Sequence, residues 1–119
     1  MDFSKATHIQ DLIWYEGPLL ALYTLEDKLY LVSWTDVDEK NHTWIITEVS
    51  LRNLVRFLSK SISLLFLQEN SPAVWVLTGD LQTGELHATT FAELRDDWKA
   101  PATSYFDESL TYEAQYPNG

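Results

Sequence analysis

"IWYEGPLLALYTLEDKLYLVSW", residues 13–34, decides the fold. Two apolar runs, 19–25 and 29–35, flank the polar triplet Glu26-Asp27-Lys28. Upstream, "IQDLIWYE" (9–16) mixes β-branched and aromatic residues and ends at Gly17-Pro18. Gly allows a positive φ and Pro fixes its own φ, so this pair predicts a turn at Gly17. Three strands joined by two short polar turns predict antiparallel hairpins. Strand side chains alternate between the two faces. Leu20 and Leu22 therefore oppose Leu19, Ala21 and Tyr23, and Leu29 and Leu31 oppose Tyr30, Val32 and Trp34. A sheet with one wet face alternates apolar with polar residues. These strands are apolar on both faces, so both need a cover.

The rest of the chain extends the pattern. "DVDEKNH" (36–42) predicts a loop and "TWIITEV" (43–49) a fourth strand. "SLRNLVRFLSK" (50–60) predicts the main helix, with Ser50 as N-cap. Leu51, Leu54, Val55 and Leu58 fall at i, i+3, i+4 and i+7 and are expected to face the sheet. Arg52, Arg56 and Lys60 fall at i, i+4 and i+8 as a basic stripe on another side. "SISLLFLQENSP" (61–72) predicts a second short helix capped by Ser63 and closed before Pro72. "AVWVLTG" (73–79) and "ELHAT" (85–89) predict strands five and six around the turn chemistry of "DLQTG". Thr90 and Glu93 have capping-box spacing, which predicts a short helix over 91–98.

The expected fold is therefore α+β: an antiparallel β-meander of five to six strands packed against one main helix and a second short helix. A small β-barrel capped by the helices is the alternative. The expected organisation is a polar lead-in (1–8), a single domain (9–98), and an extended arm with an acidic tail (99–119). The face bearing Tyr23, Tyr30 and Trp34 is then covered either by that arm, through Trp98, Tyr105 and Phe106, or by a partner.

Composition limits the function. The chain has 119 residues, enough for one domain that buries about two-thirds of its unfolded surface. There is no Cys, which rules out disulfides, thiolate metal sites and Cys nucleophiles. "MDFSKATHIQ" has no apolar segment behind a basic start, and no apolar run approaches the roughly 20 residues of a membrane helix. A cytoplasmic protein is the expectation, with no membrane contact. The net charge is −10, from 18 acidic and 8 basic residues. That sign opposes phosphates, so no direct nucleic-acid binding is expected, and it suits a basic protein partner.

No pattern for chemistry emerges. The three histidines, His8, His42 and His87, are far apart in sequence and no Gly-x-Ser-x-Gly elbow exists. Asp36 and Asp38 match two positions of a calcium loop, but Lys40 and Asn41 stand where an acid and the glycine are needed. The four glycines show no phosphate-loop spacing. Asp96 and Asp97 are adjacent, so on a helix they would not face one another. No catalytic residue, metal or cofactor is expected.

The order of Trp14, Tyr15, Glu16, Gly17 and Pro18, then Leu29, Tyr30, Leu31, Val32, Trp34 and Asp36, with Pro101 later, resembles a family of small uncharacterised bacterial and phage domains. The likeness covers about residues 11–101. It implies the same strand–Gly-Pro–strand opening and paired helices, and a bacterial or phage origin, with no established activity. Elimination leaves a non-catalytic, acidic protein-binding domain of the immunity, antitoxin, inhibitor or accessory type. Its expected partner site is Tyr23, Tyr30 and Trp34 with Asp36, Asp38 and Glu39, because rigid rings inside a charged rim suit an interface. A homodimer through the same face is the other form of this expectation. The alternative class is a ligand-binding or enzymatic domain with an aromatic cleft around Trp14, Tyr15, Trp34 and Trp44.

Overall fold

A computed structural model describes residues 1–14, 18–37 and 41–107. Six strands follow one another across a single sheet: β1 (Thr7–Trp14), β2 (Pro18–Leu25), β3 (Lys28–Val37), β4 (His42–Val49), β5 (Val74–Thr78) and β6 (Glu85–Thr89). Every neighbouring pair is antiparallel. Helices α1 (Leu51–Leu58) and α2 (Leu64–Glu69) connect β4 to β5. The α+β meander expected from the sequence is what forms. The sheet stays open between its edges β1 and β6, so the capped barrel does not.

The turn expected at Gly17 falls between β1 and β2, at residues 15–17, which lie outside the described residues. At the β2–β3 hairpin the loop is only Glu26 and Asp27, with φ of +53° and +65°. Two left-handed residues are the type I′ geometry that matches strand twist. Glycine and asparagine usually fill it; here two acids bear the strain.

Alternation along β2 and β3 sorts the core as the sequence implies. One face gathers Leu20, Leu22 and Leu31 with Leu12 and Val49, against Leu54, Phe57, Ile62 and Leu67 from the helical side. The opposite face gathers Tyr30, Val32, Trp44, Ile46 and Leu77 around Phe3.

Helix α1 begins where expected: the Asn53 N–H donates to Ser50 Oγ at 3.1 Å. Its phase differs from the expected one. Leu54 and Phe57 are buried, whereas Leu51, Val55 and Leu58 are 67%, 56% and 36% exposed. Its five apolar positions span about 160° of the helix, and the sheet takes the Leu54–Phe57 edge of that arc rather than its centre near Leu58. The largest ring, Phe57, takes the core position and turns Leu58 outward.

The helix also stops earlier than the basic stripe requires. Lys60 lies beyond it with φ +69°. Its N–H donates to the Phe57 carbonyl at 3.0 Å, and the Ser61 N–H to the Arg56 carbonyl at 2.8 Å. This pair of bonds is a Schellman closure with lysine in the place that favours glycine. Lys60 is thus not on the helical face of Arg52 and Arg56.

Ser63 caps α2, accepting from the Phe66 N–H at 3.1 Å. The capping spacing at Thr90 produces only a 3-10 turn, Phe91–Glu93, and a second turn succeeds it at Asp96–Trp98. Leu94 leaves the helical conformation between them and is buried beside Ile45 and Val74, with Trp98 packed against this cluster. Burying Leu94 on the sheet decides against a continuous helix.

Residues 99–107 also lie on the helical side. The buried Gln68 accepts from the Ala100 N–H at 2.9 Å, and the Leu64 N–H donates to the Ser104 carbonyl at 2.9 Å. Phe106 stacks near Phe57 at 5.6 Å, while Tyr105 is exposed. This part of the arm therefore does not cover Tyr23 and Tyr30. Phe3 does, from the 3-10 turn Phe3–Lys5 inside the stretch that reads as a polar lead-in. Its ring lies 5.2 Å from Tyr23 and 6.3 Å from Tyr30.

Candidate functional site

One end of the sheet carries the β1–β2, β3–β4 and β5–β6 connections together, because every strand pair is antiparallel and sequential. Trp34, near the end of β3, stands opposite Trp44 of β4. His42 shares their face, two residues before Trp44. The Trp34 indole N–H donates to His42 Nδ1 at 2.9 Å. That bond places the His42 ring proton on Nε2. The His42 ring centre lies 6.4 Å from Trp34 and 6.1 Å from Trp44.

The β5–β6 connection completes this end. The Gly79 N–H donates to the His42 carbonyl at 2.8 Å, and the Trp44 indole N–H donates to the Gly79 carbonyl at 3.2 Å. Gly79 has φ +109°, a conformation that side chains disfavour. A Cβ on Gly84 would stand 2.5 Å from the Thr78 carbonyl oxygen, so only glycine fits there. Asp80 closes the turn: its carboxylate accepts from the Gln82 N–H at 2.8 Å and its carbonyl from the Gly84 N–H at 2.7 Å. Between this loop and Asn41-His42 lies an open cleft of about 670 Å³, into whose wall Asp80, Thr83 and Glu85 also enter. Among the described residues its lining contains two carboxylates and no Lys or Arg.

The expected partner site is divided by the structure. Tyr30 is 4% exposed and Tyr23 is half-buried, both under Phe3, so neither ring is an anchor for a partner. Burial, with Asp11 nearby, raises the Tyr23 hydroxyl above its usual range; burial, with Glu48 and Glu26, does the same for Tyr30. Trp34 remains 37% exposed. Asp36 pairs with Thr43 through its backbone in β3, and its side chain lies outside the described residues, as do Asp38 and Glu39. Of the expected aromatic cleft, Trp34 and Trp44 come together, but Trp44 is only 7% exposed. Tyr15 and the side chain of Trp14 lie outside the described residues.

The basic stripe is likewise incomplete. Arg56 donates to Asn53 Oδ1 at 3.2 Å and lies 5.5 Å over the Phe66 ring. Arg52 is exposed on α1, and Lys60 sits past its end.

Elsewhere the histidines have acidic neighbours. His8 Nε2 is 2.7 Å from Asp11 Oδ1, and His87 Nε2 is 3.5 Å from Glu85 Oε2. Among the described residues no three His, Asp or Glu gather in a way that could hold a metal ion. Among the same residues no helix is long and apolar enough to cross a membrane.

Sequence reasoning missed His42 as the partner of Trp34, and Asp80 and Glu85 as residues that share a cleft with His42. A usable signal was present: His42 and Trp44 share one strand face, and a hairpin brings Trp34 opposite them. No family model matches this chain, and no curated protein or solved structure matches it.

Proposed function

We propose that the chain is a non-catalytic protein-binding domain whose loop end holds a basic segment of a protein partner. Trp34 carries the reading. Its ring is 37% exposed, yet its indole N–H is pinned to His42. A ring already held in one orientation loses little freedom on binding, which is what makes rigid aromatic residues effective anchors. An arginine of the partner stacks on its face. Asp80 and Glu85 in the adjoining cleft, and Asp38 and Glu39 in the β3–β4 connection, supply complementary charge. The overall charge of −10 accelerates approach of a basic target and repels acidic competitors.

This chemistry fits an immunity, antitoxin, inhibitor or accessory protein of a bacterial or phage conflict system, acting in the cytoplasm on a basic protein. The resemblance to small bacterial and phage domains supports that setting. The cleft beside His42 also admits a small polar ligand, but Trp44 is buried and its indole N–H already bonds Gly79, so of this pair only Trp34 is open for stacking.

Affinity capture from the source lysate tests the proposal, with Trp34→Ala as the control bait. The expected result is a basic protein retained by the natural chain, released by salt, and lost from Trp34→Ala. Equal retention of that protein by both baits, or no basic prey released by salt, contradicts it.

A further inference from the structure

The outer side of α1 is the feature that neither folding nor the loop-end site absorbs. Leu51, Val55 and Leu58 lie at i, i+4 and i+7, so they form one stripe about 11 Å long. All three are exposed. On the neighbouring row of α1, the Arg56 guanidinium lies 5.5 Å over the Phe66 ring of α2. Leu54 and Phe57 hold α1 on the sheet, so the stripe is not required for the core.

Charge singles out the same place. Residues 49–68 contain no Asp or Glu, yet they hold Arg52, Arg56 and Lys60, three of the eight basic residues of a chain with 18 acids. An apolar stripe beside arginines, on a protein that is otherwise strongly acidic, selects its occupant by chemistry. A nucleic-acid backbone offers phosphates but nothing apolar to cover Leu51 and Val55. A second copy of this chain, docked by two-fold symmetry, brings the same arginines against one another. An anionic membrane is repelled by the net charge, and an eight-residue helix buries little in it. An acidic polypeptide with its own apolar stripe satisfies both the leucines and the arginines.

We propose that the outer face of α1 is a second docking surface, for an acidic amphipathic segment of a partner protein. Its apolar side chains cover Leu51, Val55 and Leu58, and its carboxylates lie along Arg52 and Arg56. This surface is separate from the loop end at Trp34 and has the opposite charge preference. The repulsion of the remaining acidic surface confines such a segment to α1.

The test uses the full chain, labelled with ¹⁵N, and a synthetic amphipathic peptide carrying Leu at i, i+4 and i+7 with Glu on its flanks. A matched peptide with Lys for Glu and vesicles of phosphatidylglycerol are the comparison probes. Expected are saturable shifts at the amides of residues 51–58 with the Glu peptide, and binding at least tenfold weaker with the Lys peptide. Val55→Glu and Arg52→Glu, both at exposed positions, are each expected to weaken the Glu peptide tenfold or more while leaving the urea midpoint within error. The proposal is overturned by silent amides at 51–58, by equal binding of the Lys peptide, or by a response to vesicles alone. It is also overturned if the amides of 51–58 move with protein concentration without peptide, which marks a second copy. Displacement of the 108–119 resonances by Val55→Glu alone overturns it too, because the same chain then occupies the stripe.

Discussion

Replacing Phe57 by Ala tests the phase of α1, and Leu58→Ala is its internal control. Phe57 is 1% exposed, within the cluster of Leu54, Ile62 and Leu67 and 5.6 Å from the Phe106 ring. Truncating a buried Phe to Ala costs about 3–5 kcal/mol, and the lost pairing with Phe106 favours the upper half of that range. A domain of this size has a total stability of roughly 5–15 kcal/mol, so Phe57→Ala leaves a marginal protein. With a urea slope of about 1.5 kcal/mol per molar, a loss of about 4 kcal/mol lowers the midpoint by about 2.7 M. Leu58 is 36% exposed and gives up much less contact, so Leu58→Ala costs about 1 kcal/mol or less. Circular dichroism during urea unfolding reads both. Equal losses for the two variants, or a larger loss at Leu58, refute the observed phase and restore Leu51, Val55 and Leu58 to the core.

The packing sets three further outcomes. Phe3→Ala uncovers Tyr23 and Tyr30 and is expected to cost about 2–3 kcal/mol in urea melts, whereas a loss below about 0.5 kcal/mol means that Phe3 is no lid. Lys60→Gly relieves the left-handed strain at the end of α1, offset in part by the freedom glycine adds to the unfolded chain, and is expected to gain about 0.5–1 kcal/mol; a loss contradicts the Schellman closure. Burial holds the Tyr30 proton in the folded state above the pH at which the unfolded chain releases it. That stabilisation is complete below about pH 10 and is lost as pH rises through the raised value. Tyr30→Phe is therefore expected to lose less stability than the natural chain between about pH 9 and pH 11, and an identical loss refutes the assignment.

Much of the fold was legible because two short apolar runs in residues 19–35, split by Glu26-Asp27-Lys28, are a local and strong hairpin signal. Ser50 and Ser63 were legible as caps for the same reason, since a cap acts within one turn of its helix. The α1 phase was not, because packing on the sheet buries the Leu54–Phe57 edge of the apolar arc rather than its centre near Leu58, and local periodicity does not encode that choice. Phe3 was not legible either. A single Phe among the scattered apolar residues of "MDFSKATHIQ" has no period, and only the three-dimensional path of the chain brings it over Tyr30. The Thr90–Glu93 spacing did mark a real cap, with the Glu93 N–H donating to Thr90 Oγ1 at 3.3 Å. The length of the turn beyond that cap is set by burial of Leu94 against strands distant in sequence, which local spacing does not encode. For the candidate site, Trp34 was visible as an aromatic residue bordering acids. Its bond to His42 depends on cross-strand register, and the approach of Asp80 depends on a loop shaped by Gly79 and Gly84.

The indole N–H of Trp34 gives the most direct test of partner binding at the loop end. Its resonance in a ¹⁵N spectrum reports both the bond to His42 and anything stacked on the ring. Titration with an arginine-rich peptide is expected to give a saturable shift of this resonance together with the amides of residues 79–85. The affinity is expected to fall as salt rises. Peptide binding that leaves the Trp34 resonance unmoved, or an affinity insensitive to salt, contradicts the assignment of this end of the sheet to a basic partner.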